Sequence, residues 1–149
     1  MTNKNIFDIP NEYRGGTFFK HISISDKYVK VYFYKDYTEY KNSVDSKIDI
    51  NLYNSYWKTG KQVEKMISEP IRLLRDYKEI EVIDFEFGDG DNVYNIHIDR
   101  KDFEKYINTE LENLKDNDEW INFVDTYIYK LNNPKRTSLF ERYVKITKM

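Results

Sequence analysis

Val82-Ile83-Asp84-Phe85-Glu86-Phe87-Gly88-Asp89-Gly90-Asp91-Asn92-Val93-Tyr94-Asn95-Ile96-His97-Ile98-Asp99 is the stretch that decides the fold. Ile83, Phe85 and Phe87 alternate with polar residues before a Gly/Asp/Asn run, and Tyr94, Ile96 and Ile98 do so after it. Alternation with period two sends one set of side chains to each face of a strand. The run between tolerates the left-handed conformations that a tight reversal needs. The segment is expected to form a β-hairpin with an apolar face and a polar one. The polar face carries Asp84, Glu86, Asn95, His97 and Asp99.

Upstream, three more segments alternate. Phe18, Ile22 and Ile24 share a parity that Lys20 breaks; Val29, Val31 and Phe33 form a second set, and Ile48, Ile50 and Leu52 a third. Between the third and fourth strands, Val63, Met66, Ile67, Leu74 and Tyr77 recur at helical spacing, with Thr59 and Gln62 as a capping pair. Pro70 interrupts this helix, predicting a kink or restart near Ser68. Downstream, Asp99 caps a helix carrying Phe103, Tyr106, Ile107, Leu111 and Leu114. Asp116 to Asp118 breaks that helix. Trp120, Phe123, Val124, Tyr127 and Leu131 mark another, ended by Asn132-Asn133-Pro134. The tail from Ser138 fits a short helix capped by Ser138 and Glu141, or a strand through Val144 and Ile146.

The order β-β-β-α-β-β-α-α predicts an α+β domain: a mostly antiparallel five-stranded sheet with helices packed on one face. The 149 residues suit a single domain able to bury roughly 70% of its unfolded surface. Residues 1–14 are expected to be a flexible N-terminus, and residues 134–149 a basic C-terminal tail. There is no cysteine, which excludes disulfides, thiolate metal sites and thiol nucleophiles. No apolar run approaches the ~20 residues of a membrane span, and none resembles a signal peptide, so a cytoplasmic location is expected. Alanine is absent and Gln62 is the only glutamine, while Asn, Ile, Lys and Tyr abound. AT-rich coding accounts for that bias and for part of the tyrosine excess.

Charge is strongly segregated. Between Glu79 and Glu119 there are fourteen acidic residues and four basic ones, whereas Lys130–Met149 holds six basic and one acidic. A dense acidic surface attracts and steers a basic partner over about a Debye length, ~8–10 Å. Tyrosine offers contact area and a hydroxyl at small entropic cost. The reading that follows is a small non-enzymatic protein that binds a basic protein, such as a nuclease, through Tyr32, Tyr34, Tyr53, Asp84, Glu86, Asp89 and Asp91. An immunity protein or a mobile-element anti-defence protein is of this kind.

Two alternatives carry chemistry. His21-Ile22-Ser23 and His97-Ile98-Asp99 each place a histidine on a strand. Paired strand histidines can cleave phosphodiesters as base and acid, with Ser23 holding phosphate and His21 and His97 catalytic, although Asp99 would repel that phosphate. Alternatively, Lys135, Arg136, Arg142 and Lys145, interleaved with Phe140 and Tyr143, could grip a nucleic-acid backbone. Neither a cofactor nor a metal is expected. Asp84, Glu86, Asp89 and Asp91 lack the spacing of a calcium loop, and Gly15-Gly16 precedes a strand rather than a helix, a poor phosphate cradle.

Overall fold

The computed structural model describes residues 5–13, 18–59, 61–130 and 132–149. Gly15, Gly16 and Leu131 lie outside the described residues, as do residues 1–4. A short 3-10 turn (Ile6–Asp8) and α1 (Ile9–Tyr13) bury Ile6, Ile9 and Tyr13, so the described part of the N-terminus belongs to the core rather than to a flexible arm. There follow β1 (Phe19–Ser25), β2 (Tyr28–Phe33), α2 (Tyr37–Ser43), α3 (Ile50–Lys58), α4 (Gln62–Lys65), α5 (Ser68–Asp76), β3 (Val82–Gly88) and β4 (Asn92–Asp99). α6 (Arg100–Ile107), a 3-10 turn (Leu111–Leu114), α7 (Asn117–Tyr127), α8 (Pro134–Tyr143) and β5 (Val144–Lys148) complete the α+β chain.

The five strands lie in chain order, β1-β2-β3-β4-β5. The sheet is mixed, which corrects the mostly antiparallel expectation: β2 and β3 are parallel, and the other neighbours antiparallel. Parallel neighbours need a long crossover, here α2 to α5. The expected third strand is absent for the same reason: its residues belong to that crossover. Asp49 accepts from Leu52 N at 2.9 Å and caps α3. Tyr53 and Trp57, four residues apart, are buried, while Ile50 and Leu52 are left exposed. A good cap and an i,i+4 aromatic pair outcompete three alternating aliphatics. The fifth strand comes instead from the tail, which forms both a helix and a strand.

Lys20 breaks parity because it is a β-bulge. Phe19 pairs with Phe33 and His21 with Tyr32, leaving Lys20 as the extra residue. The hairpin forms as expected, with Gly90 at φ 95°. Gly88 is needed at its shoulder, since a Cβ there would sit 2.2 Å from the Lys35 carbonyl oxygen. Asp99, Asp116 and Asn133 cap α6, α7 and α8. Two expected capping pairs do not form: Thr59 ends α3, and Asn133 takes the role given to Ser138. The helix restarts at Ser68 as expected, with Pro70 in its first turn, where its missing N–H is not needed.

Val29, Val31, Ile83, Phe85, Phe87, Ile96 and Ile98 are fully buried and belong to one core with the helices. Each such side chain contributes about 1.5–3 kcal/mol of transfer free energy. The opposite parity, from Ser23 on β1 to Lys145 on β5, is polar.

Candidate functional site: the outer face of the sheet

Register alone assembles the outer face. One row runs Ser23 (β1), Lys30 (β2), Asp84 (β3), His97 (β4); the next runs His21, Tyr32, Glu86, Asn95, Lys145. Asp84 is 6% exposed, an unusual state for an aspartate on a sheet surface. It is satisfied on both sides. The Tyr28 hydroxyl donates to Oδ2, and His97 Nδ1 lies 2.5 Å from Oδ1. Burial, and then the bond to Asp84, pushes the Tyr28 hydroxyl well above the usual tyrosine range, so it remains a donor. Because an ionised carboxylate only accepts, Nδ1 carries the proton and Nε2 is left for the outside. The His97 side chain is 59% exposed.

In the neighbouring row, the His21 ring stacks on Tyr32 with centroids 4.2 Å apart and planes 14° off parallel. Lys30 Nζ lies 4.9 Å from the same ring. Glu86, between Tyr32 and Asn95, is half-buried and has no hydrogen bond or ion pair among the described residues.

Of the seven residues expected to face a partner, this surface holds Tyr32, Asp84 and Glu86. Tyr34 is buried against Tyr40, on the chain just past β2. Tyr53 is fully buried on α3, its hydroxyl donating to Gly88 O at 3.2 Å. Asp89 organises the hairpin turn, accepting from Asp91 N, Asn92 N and the Tyr94 hydroxyl, each at 2.9 Å. Asp91 pairs with Lys58 at 3.6 Å. Much of the acidic block is likewise committed internally, as caps (Asp99, Asp116) and as partners of Arg142 and Tyr143 (Asp102), Leu111 N (Glu104) and Lys115 (Glu112).

The alternative sites are dispersed. Two strands separate His21 from His97, a span of roughly 14 Å at ~4.8 Å per strand. The two rings therefore do not share one phosphate, and Ser23 stands in His97's row at the same three-strand distance. His97 is exposed, but no serine stands within one strand of it in its row. In the tail, Arg136 is 1% exposed, donating to Ile128 O at 2.7 Å, Lys130 O at 2.9 Å and Glu64 at 3.0 Å. It is a structural clamp and is not available to a nucleic acid. Arg142 pairs with Asp102 and lies over Tyr106, Lys135 lies over Tyr127, and Lys145 belongs to the sheet face. The tail is docked, not a free basic arm.

Among the described residues, no group of three His, Cys, Asp or Glu side chains could hold a metal ion, and no helix is long and apolar enough to cross a membrane. Comparison with protein-family models, curated proteins and solved structures finds no match.

Proposed function

We propose that the protein is a non-enzymatic binding protein that holds a basic protein partner on the outer face of its sheet. The observation that carries this reading is Glu86. It occupies the central strand, partly desolvated, with aromatic and amide neighbours and no ion pair among the described residues. A carboxylate so placed loses hydration without recovering it from a partner. An incoming guanidinium would recover it: the planar fork meets a carboxylate through two hydrogen bonds and stacks on a ring such as Tyr32. Basic nucleic-acid-handling proteins present such arginines, which keeps an inhibitor of that class as the favoured role. Fewer residues carry it than the charge pattern suggested, because Asp89 organises the hairpin turn and Asp91 pairs with Lys58.

The test is a titration of the labelled protein with an arginine-rich peptide at low salt, followed by nuclear magnetic resonance. Shifts are expected around Tyr32, Glu86 and Asn95, fading as salt is added. Glu86→Gln is expected to weaken binding about tenfold, the scale of one charge-assisted hydrogen bond. It should change folding stability by no more than ~0.5 kcal/mol. Unchanged affinity in Glu86→Gln, or shifts centred instead on Glu110–Glu119, would remove this reading.

A further inference from the structure

On the helical side of the molecule, a cleft of about 500 Å³ opens beside the hairpin turn. That lies within the range of small-molecule sites. Its walls are Trp57, Val63, Tyr94, Phe140 and Ile146. Two of these rings flank Phe87 in one stack. Trp57 lies on Phe87 at 5.2 Å and Phe87 on Tyr94 at 5.1 Å, while Phe140 stands beside Tyr94 at 6.0 Å with its plane tilted by 56°. Trp57 also carries the one buried side-chain polar atom without a hydrogen-bond partner among the described residues, its Nε1.

The charges around the cleft do not cancel. Asp89 is saturated by the turn and by Tyr94, Glu64 accepts from Arg136, and Lys58 faces Asp91. Lys61 is left as an exposed cation without a partner among the described residues, on a rim whose anions are already committed. An apolar, ring-lined floor beside a lone cation selects a flat body with one negative end.

We propose that this cleft binds a small planar aromatic anion, its ring against Tyr94 and Phe140 and its carboxylate or sulfonate group at Lys61. The site is independent of the outer sheet face.

The probe is anilinonaphthalene sulfonate, which has both the ring system and the anion. In a Trp120→Phe background Trp57 is the only indole, so energy transfer from it reports occupancy of the cleft. We expect saturable binding of one probe per chain. Lys61→Glu is expected to weaken it about tenfold, while the uncharged phenylnaphthylamine binds parent and variant alike. Ile146→Asp is expected to abolish binding, whereas Ile121→Asp, at another exposed apolar position on α7, leaves it intact. Absence of saturable transfer, or parent-like affinity in Lys61→Glu, overturns the proposal. So does an equal loss in Ile121→Asp. Circular dichroism checks that each variant is folded; should Ile146→Asp unfold, the exposed Lys61→Glu decides alone. Glu86→Gln should leave this binding unchanged, so failure here and failure of the sheet-face reading are separate results.

Discussion

Along β3, successive side chains meet opposite worlds. Ile83, Phe85 and Phe87 are shut away from water against the helices, while Asp84 and Glu86 turn to the other side. The inner set has no polar atom to satisfy and works by packing. The outer set works by pairing, and it is unevenly paired: Asp84 has two partners, and Glu86 has none among the described residues. The comparison teaches where each kind of constraint resides. The inner face fixes the fold, and the outer face can hold an unspent charge because the fold does not depend on it.

The sharpest way to break that distinction is Phe85→Ala. A large ring removed from the middle of the core should cost ~3–5 kcal/mol, read as a fall in the urea midpoint. A loss under ~1 kcal/mol would mean that the inner face is not the principal source of stability.

Asp84→Asn should cost less, about 1–3 kcal/mol, because the shape is kept while two charge-assisted bonds to Tyr28 and His97 weaken. Its specific signature is at His97. The ring nitrogens, followed by nuclear magnetic resonance, should lose their single preferred tautomer. A cost equal to that of Phe85→Ala would make Asp84 part of the core, contrary to the separation of the faces.

The smallest effect expected is at alkaline pH. Burial first, and then the bond to Asp89, pushes the Tyr94 hydroxyl up to about 12; burial and Asp102 do the same for Tyr143. A group whose value is raised on folding contributes stability fully below its unfolded value, near 10, and loses it as pH rises through the folded one. Thermal stability should therefore decline between about pH 10 and 12. Tyr94→Phe should flatten that decline, and an unaltered slope would show that this hydroxyl is not coupled to folding.

The hairpin was legible in the sequence because both of its signals are local: an alternation of three apolar residues on each side and a turn rich in glycine and aspartate. The segment Ile48–Leu52 alternates equally well, yet Asp49 caps a helix there, and the choice was made by Tyr53 and Trp57 packing on partners distant in sequence. A strand there would stand between β2 and β3 in the chain, and that is why the alternation pattern hides their parallel pairing. The outer face was only partly legible. His97 and Asp84 were both assigned to it by parity, but their contact depends on register. Once the turn fixes that register, Asp84 stands opposite His97, and this was the available signal. Tyr34 and Tyr53 were misplaced because both lie outside the strands, where parity has no meaning. Net charge was the weakest guide, since a carboxylate that caps a helix and one that awaits a partner count equally.

The bulge at Lys20 sets the phase of the edge strand. It lets Phe19 pack among Tyr13 and Phe33 while His21, two positions on, emerges on the opposite side beside Tyr32. Were Lys20 instead an ordinary strand residue, positions 19 and 21 would point the same way, since side chains repeat every second residue. In such an unbulged strand either a phenyl ring would be turned out into water or an imidazole forced in among aromatic rings, whereas deleting Lys20 outright would make Phe19 and His21 direct neighbours and keep each on its present face.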